Sequence, residues 1–256
     1  MRQEAYFCTV KELDELGKNN IPRQLISHTH LIYSSPATLA FTSPGAEGFG
    51  VKRAGLAVPD SVMLIVSPGC CGRNTSVLSS MRAYQDRFYY LLMDETDIVT
   101  GRHLKKIPKA VAEICEGLKK KPSVVMICIT CVDALLGTDM ERVCHKAEEY
   151  AGVPVRPCYM YALTREGSKP PMVHVRQSVY SLLEPKKKKG NVVNLLGYFS
   201  PLTDDCELYD LLHGAGVKTI HEISRCKDYA QYQTMSEANF NLVLHPEARF
   251  AAEDFH

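Results

Sequence analysis

Two uninterrupted apolar segments dominate the hydrophobic pattern of this chain. Val62–Val66 is the first, and Val124–Thr130 is a second segment of the same kind. Apolar runs of strand length without polar alternation are typical of strands buried on both faces of a parallel sheet. Pro68 and Gly69 end the first run. The pattern therefore predicts two central parallel strands, each followed by a turn and then a helix.

The rest of the chain from Ser61 onward alternates between strand and helix patterns. Further strands are predicted at 89–93, 152–156, 191–196, 217–223 and 240–244. Helices are predicted at 10–16, 75–87, 102–121, 138–151, 174–183, 204–213 and 226–237. Such alternation indicates an α/β fold of successive Rossmann-like open parallel-sheet domains flanked by helices. We expect residues 138–151 to begin with a capping box formed by Thr138 and Glu141.

A proline, four lysines and a glycine interrupt this alternation at 185–190. Such a run does not continue a core element, so we expect an N-terminal domain at 1–185, a linker at 186–190 and a second α/β domain at 191–256. The lysines suit either a solvated linker or a docking patch for an acidic partner. Because the sequence ends in a helix start without a further strand, we expect a second domain that is truncated at the C-terminus.

The amino-acid composition excludes some classes of function. The 256 residues include 30 basic and 29 acidic side chains, so no net charge favours nucleic acid or an anionic membrane. The longest apolar runs have the length of strands, so we expect no transmembrane helix. The N-terminal sequence lacks the apolar core of a signal peptide. We therefore expect a cytoplasmic protein that binds neither nucleic acid nor membrane.

Cysteines are the candidate functional residues of this chain. The chain has ten cysteines, scattered rather than framed as in a small secreted domain, which suggests metal ligation, catalysis or core packing. Cys71 and Cys131 each follow a buried strand and precede a helix, where the helix dipole lowers a thiol pKa and favours the thiolate that binds iron. Cys128 lies inside its strand and suits a core role. A shift of one residue would exchange Cys70 and Cys71 as ligands.

Two thiolates per chain do not complete a cluster of the 4Fe–4S type, which takes about four ligands. A twofold dimer would supply two from each chain. We expect residues 33–50, with their small and apolar side chains, to lie at that contact. Zinc is the rival metal, but only Cys128 and Cys131 have its pair spacing. His28 and His30 could be metal ligands, but loop histidines at a subunit contact are the favoured interpretation.

Two segments resemble the nitrogenase component 1-like oxidoreductases. These segments are Pro68-Gly-Cys-Cys71-Gly72 and the stretch from Cys131 to Asp139. This family includes nitrogenase MoFe-protein subunits, dark-operative protochlorophyllide and chlorophyllide reductases, and the nickel-tetrapyrrole reductive cyclase. The resemblance implies a 4Fe–4S cluster that bridges two subunits through Cys71 and Cys131. It also implies a homodimer or a related component 1 partner, electrons from an ATP-dependent iron–sulfur reductase, and a small-molecule or tetrapyrrole substrate.

Departures from the family pattern sharpen this expectation. Pro44–Phe49 carries no thiol where nitrogenase subunits have an earlier cluster cysteine, which favours a four-iron cluster; Glu47 could supply an oxygen ligand there. Ala251–His256 lacks the cysteine that holds the nitrogenase cofactor. His174 matches a substrate-facing histidine of the family, but a structural histidine is an equal alternative. No P-loop is present, so the chain would receive electrons.

Two other function classes stay open from the sequence alone. Some proteins that resemble this chain hold a precursor cluster without turnover, so an assembly scaffold is the alternative to a reductase. A degenerate α/β protein whose cysteines bind nothing is the third interpretation.

Overall fold

The computed structural model describes residues 8–17, 19–22, 51–69, 84–130, 132, 136–159 and 169–254. Several predictions concern residues outside these ranges and are not addressed by the structure; they involve His28, His30, residues 33–50 with Glu47, Cys70, Cys71 and Cys131. No helix among the described residues combines the length and apolarity that a bilayer crossing requires.

The first sheet has four parallel strands in the order β2-β1-β3-β4. These strands are β1 (Val62–Ser67), β2 (Phe88–Leu92), β3 (Val125–Ile129) and β4 (Val155–Tyr159). Helices of this part of the chain are α1 (Val10–Leu16), α2 (Glu95–Thr100), α3 (His103–Gly117), α4 (Met140–Ala151) and α5 (Pro171–Tyr180). The two apolar segments of the sequence therefore become the two central, adjacent strands.

Side chains of β1 and β3 alternate between two apolar layers, one on each face of the sheet. Met63 and Met126 belong to the layer that includes Val175 and Val179 of α5. The other layer contains Leu64 and Ile127 and is covered by α3 and α4. Every residue of both strands is buried, and each large apolar side chain removed from water contributes about 1.5–3 kcal/mol. This burial explains the continuous apolar runs.

The second sheet has three parallel strands in the order β6-β5-β7. They are β5 (Lys189–Leu196), β6 (Thr219–Glu222) and β7 (Ala238–Val243). The helices here are α6 (Glu207–Gly214), α7 (Tyr229–Gln233) and α8 (Arg249–Glu253). Leu196, Ile223 and Tyr232 join the same apolar layer as Met63 and Met126, so one core connects the two sheets. The predicted α/β class with successive parallel sheets is confirmed.

Several predicted helix bounds differ from the structure, and two of these differences have a clear physical reason. The helix expected at 75–87 does not reach its predicted end, because residues 84–86 form a turn and Asp86 adopts a left-handed φ of 61°. Aspartate tolerates that conformation better than most residues. The helix expected to continue to Lys121 stops at Gly117. The lysines beyond it serve other loops: Lys120 pairs with Asp60 at 2.8 Å.

The predicted capping box at the start of α4 is also wrong. Asp139, rather than Thr138, is the N-cap residue, and its carboxylate accepts the backbone N–H of Arg142. Because the helix begins at Met140, Glu141 is one position too early to complete a box with the cap. The Asp139 carboxylate therefore satisfies one of the exposed N–H groups at this end.

The predicted linker overlaps the second sheet. β5 begins at Lys189, whose Nζ lies 2.5 Å from Glu237 Oε2. Lys189 pairs with Ala238, and an irregular register follows in which Asn191 has a φ of 61°. The last two residues assigned to the linker, Lys189 and Gly190, are thus strand residues. The division into two domains stays a prediction.

Candidate functional site

The carboxyl ends of β1 and β3 lie side by side. Val66 is paired with Ile129 in the parallel register, so the chain leaves both strands at one edge of the sheet. Ser67 and Thr130 are the next residues along each strand. The sequence prediction that two buried strands end at one place is confirmed. Cys70, Cys71 and Cys131 follow these strand ends in the sequence but lie outside the described residues, so their assignment as ligands stays a prediction.

Two buried hydroxyl groups mark this edge. Ser67 is 0% exposed and Thr130 is 3% exposed. Neither side-chain oxygen has a hydrogen-bond partner in the part of the chain that the structure describes. Strand alternation directs Ser67 to the same face as Met63 and Ile65, and it directs Thr130 to the face of Met126. The two hydroxyls therefore lie on the same face of neighbouring strands.

The buried cysteines of the described residues are poor iron ligands. Cys128 is fully buried in the core, and burial raises the pKa of its thiol to about 12. Burial also raises the pKa of the Cys144 and Cys158 thiols well above the ordinary value. Burial therefore favours the protonated form of these thiols in the absence of a metal, whereas a metal ligand is a thiolate. The prediction that Cys128 has a core role is confirmed.

The half-buried cysteines lie on different elements. Cys115 is on α3, Cys206 precedes α6 and Cys226 follows the 3-10 turn Ile223–Arg225. Burial raises the pKa of Cys226 to about 11. Across the described ranges, no group of three or more His, Cys, Asp or Glu side chains comes together as a metal site.

His174 lies at the same edge of the first sheet. It is half-buried on α5, and its ring packs edge-on against Tyr159 with the centroids 5.1 Å apart. Tyr159 is the last residue of β4, which neighbours β3. The position is compatible with a role beside the strand ends, and the aromatic contact is equally what a structural histidine would make. The substrate-facing role stays a prediction.

A cleft of about 590 Å³ lies between the two sheets. Arg53, Tyr84 and Arg87 line one side, and Phe199 and Cys226 line the other. Arg87 is committed to the fold, because its guanidinium donates to the carbonyls of residues 56, 58 and 61. The first-sheet side of this cleft is at the amino ends of β1 and β2, and His174 is outside its lining. The cleft therefore lies away from the carboxyl ends of β1 and β3, where Ser67 and Thr130 are found.

Sequence reasoning missed an ion network at the carboxyl end of β2. Asp97 is almost fully buried and accepts hydrogen bonds from Lys106 and Arg102, both at 2.7 Å. These two cations hold the pKa of the Asp97 carboxyl well below its usual range. Asp94 caps α2 and forms a capping box with Asp97. The Asp-x-x-Asp spacing was the available signal for this network.

Comparison with known proteins identifies relatives of the chain. A sequence model described as "Nitrogenase component 1 type Oxidoreductase" matches residues 47–256. The nitrogenase iron-molybdenum cofactor biosynthesis protein NifE of Rhizobium meliloti (strain 1021) is 28% identical over 192 residues, covering 72% of this chain and 40% of the relative. NifE of Klebsiella pneumoniae is 26% identical over 219 residues, covering 79% and 48%. The chain thus spans less than half the length of these curated relatives.

Solved structures show the same fold. The structure titled "Nitrogenase Cp1 at pH 5" superposes with a TM-score of 0.56 at 21% identity, covering 80% of this chain and 44% of the other. The structure titled "Nitrogenase Cp1 at pH 6.5" gives a TM-score of 0.53 at 22% identity, covering 75% and 40%.

Proposed function

Because this chain belongs to the nitrogenase component 1 type oxidoreductase family, we propose that it is a cytoplasmic iron–sulfur subunit of that type. It holds a 4Fe–4S cluster between two subunits through Cys71 and Cys131, with Cys70 as the alternative to Cys71. It accepts electrons from an ATP-dependent iron–sulfur reductase. It passes them to a small-molecule or tetrapyrrole substrate, with His174 facing that substrate.

One observation carries this proposal. The parallel register that pairs Val66 with Ile129 brings the ends of β1 and β3 together, and the sequence places a candidate thiol after each of them. In open parallel α/β sheets, ligands bind at the carboxyl ends of the strands. The protonated thiols of the core leave the strand-end cysteines as the better thiolate donors.

Iron analysis of anaerobically purified protein tests the ligands. A four-iron cluster shared by two chains requires about two irons and two sulfides per chain. Cys71→Ala and Cys131→Ala should each reduce iron to background, because a missing thiolate opens the cluster to water. Cys115→Ala is the matched control, since Cys115 lies on α3 and should leave the iron content unchanged. Cys70→Ala decides between the adjacent cysteines.

Two results would overturn the ligand assignment. One is iron near background in the wild-type protein, and the other is normal iron in Cys131→Ala. Loss of iron in Cys70→Ala together with normal iron in Cys71→Ala would move one ligand by a single position.

The bridging arrangement has a separate test. Each half-site alone has two thiolates and binds a cluster poorly, so cluster loss and dissociation of the dimer are coupled. Anaerobic light scattering should show a dimer that shifts toward monomer after chelation of iron. A cluster-loaded monomer at micromolar concentration would refute the shared-ligand arrangement.

A second candidate function is supported by the names of the relatives. The curated relatives described above are cofactor biosynthesis proteins, so an assembly scaffold that holds a cluster without turnover is the alternative. Incubation with an ATP-dependent iron–sulfur reductase and ATP separates the two roles. Continued electron uptake in the presence of a reducible substrate indicates a reductase. Transfer of the intact cluster to an acceptor apo-protein, without uptake beyond one reduction, indicates a scaffold.

A further inference from the structure

We propose that the cleft between the two sheets binds a small organic anion, in which an apolar ring or chain carries a carboxylate or phosphate group. The cleft has a volume of about 590 Å³, and small-molecule sites typically have volumes of about 300–1,000 Å³. This binding site is separate from the cluster of the proposed function and does not depend on it.

The position of the cleft in the second sheet is one at which ligands commonly bind. Phe199 and Ser200 follow β5, and Ser224 follows β6. Because β5 and β6 are paired in parallel, these residues lie beyond the carboxyl ends of two adjacent strands. Open parallel α/β sheets bind ligands beyond such strand ends. The first sheet contributes Tyr84 and Arg87, which precede β2, to the same cleft.

The charges of the lining favour an anion. Three cations line the cleft, namely Arg53, Arg87 and Lys227, and Asp60 is the one acidic side chain among the described lining residues. Asp60 is already paired with Lys120 at 2.8 Å. None of the three cations forms a salt bridge with a described carboxylate. The lining therefore has an excess of positive charge, which attracts anions into the cleft.

Arg87 supplies a cation that is held in a fixed position. Its Nε and Nη2 atoms donate to the carbonyls of residues 56, 58 and 61 at distances of 2.8 to 3.2 Å. Its Nη1 atom donates no hydrogen bond to a described residue. Burial lowers the pKa of this guanidinium, so an anion beside it would stabilise the charged form. A group that is already positioned loses little entropy when a ligand binds.

Ser224 adds a hydroxyl group to the cleft. Its Oγ atom is buried and has no hydrogen-bond partner among the described residues. Most buried polar side-chain atoms are hydrogen-bonded, so an exception calls for an explanation. Ser224 lines the same cleft as the three cations, and carboxylate and phosphate oxygens accept hydrogen bonds from hydroxyl groups. An anionic group in the cleft would therefore satisfy this hydroxyl.

The rest of the lining explains why the ligand needs an apolar part. Leu56 and Ile223 are buried core residues, and the rings of Tyr84 and Phe199 lie on opposite sides of the cleft. The guanidinium of Arg176 lies 4.9 Å from the centre of the Phe199 ring, which helps to fix that ring. An inorganic ion would leave these apolar surfaces in contact with water, whereas an apolar ring or chain would remove them from it.

Isothermal titration calorimetry of the purified chain with naphthoate tests the site. Naphthamide is the neutral analogue, and inorganic phosphate is the anion without an apolar part. Naphthoate should bind at least about tenfold more tightly than either, because a hydrogen-bonded charge and the burial of apolar surface each contribute to its affinity alone. Equal affinity for naphthamide would overturn the anionic part of the inference, and equal affinity for phosphate would overturn the apolar part.

Charge-reversal variants locate the site. Arg53→Glu and Lys227→Glu each alter an exposed side chain of the lining. Each should weaken naphthoate binding about tenfold, because an exposed attraction and an exposed repulsion are each worth about a factor of three. Naphthamide binding should stay unchanged. Arg249→Glu is the matched control, since Arg249 is exposed, lies outside the lining and gives the same change in net charge. Equal weakening by all three variants would overturn the location.

Ser224→Ala tests the hydroxyl. It should weaken naphthoate binding about tenfold, as for a hydrogen bond to a charged group, and it should not lower the melting temperature of the ligand-free protein. Unchanged affinity would overturn the role of Ser224, as would a marked drop in that melting temperature. Failure of naphthoate to bind saturably to the wild-type protein would overturn the whole inference, whatever its iron content, and would leave the proposed function intact.

Discussion

The ends of β1 and β3 differ from the ends of β5 and β6 in how most of their polar groups are paired, although Ser224 Oγ beyond β6 is also buried without a partner among the described residues. At the ends of β1 and β3, the hydroxyls of Ser67 and Thr130 are buried without a hydrogen-bond partner among the described residues. At the end of β5, the Gly197 carbonyl accepts two hydrogen bonds from Arg176, at 2.6 and 3.0 Å. At the end of β6, the Glu222 carboxylate accepts hydrogen bonds from Arg225, Tyr209 and the backbone N–H of Leu202.

This difference separates a closed edge from an open one. A buried polar group without a hydrogen-bond partner destabilises the folded state. Hydrogen bonds to the polar groups at the ends of β5 and β6 therefore stabilise the fold. Arg176 additionally pairs with Glu247 at 2.8 Å and donates to the Met172 carbonyl, which ties α5 to the second sheet. The hydroxyls of Ser67 and Thr130 gain no hydrogen bond from the described residues.

The largest effect should come from breaking the closed edge at Arg176. Arg176→Met keeps the apolar part of the side chain but leaves Glu247 and the Gly197 carbonyl without their cation. Removing one partner of a buried ion pair costs about 3–5 kcal/mol, measured as the free energy of unfolding in denaturant. Arg249→Met is the control, because its pair with Glu253 is exposed and is worth about 0–1 kcal/mol. Equal losses would contradict the assignment of Arg176 as the tie between sheets.

Gly197→Ala should have the next largest effect. Gly197 has a φ of +130°, and a Cβ atom there would lie 2.7 Å from the backbone nitrogen of His245. Strain and steric overlap together should cost about 3 kcal/mol. Gly216→Ala isolates the backbone term, since Gly216 has a φ of +89° with open space around it; about 1 kcal/mol is expected. Equal losses in the free energy of unfolding for Gly197→Ala and Gly216→Ala, measured by chemical denaturation, would contradict a steric contribution at Gly197.

A smaller effect contrasts the two ends of β1. Ser61→Ala removes an acceptor of the Arg87 guanidinium and should cost about 1.5 kcal/mol, as for a hydrogen bond to a charged group. Ser67 Oγ has no hydrogen-bond partner among the described residues, so Ser67→Ala should leave the free energy of unfolding unchanged. Thermal or denaturant unfolding of the two variants in one buffer provides the check. Equal destabilisation by Ser61→Ala and Ser67→Ala would contradict the difference in hydrogen bonding between the two ends of β1.

The smallest effect concerns the pH dependence of the second sheet. Burial lowers the pKa of His221 on β6, while Glu237 opposes and Lys189 adds to that shift. The unfolded chain therefore binds the proton more readily, and stability should fall as the pH drops through about 6.5, the ordinary histidine value. His221→Gln should show a flatter pH profile of unfolding. His145→Gln is the control, since His145 is exposed; an identical profile for wild type and His221→Gln would rule out this contribution.

Prediction from sequence succeeded where the signal was local. The apolar runs at β1 and β3 determined buried parallel strands, because a strand covered on both faces has no polar position. α1 has the predicted bounds Val10–Leu16. Helix ends were less accurate: α3 and α4 depart from prediction because Gly117 and Asp139 stop or cap the helix against competing local signals.

The sequence by itself thus determined the fold class, the two central strands and the core position of Cys128. It also showed that candidate thiols follow both strands, since order along the chain is visible without coordinates. Only the tertiary structure decided that Ser67 and Thr130 are buried with no hydrogen-bond partner in the described part of the chain, whereas Ser61 is paired. The physical reason is that hydrogen-bond partners come from distant segments, as Arg87 does for Ser61. The local composition of a segment indicates whether it is buried. Whether a buried polar group finds a hydrogen-bond partner depends on which distant segments the fold brings next to it.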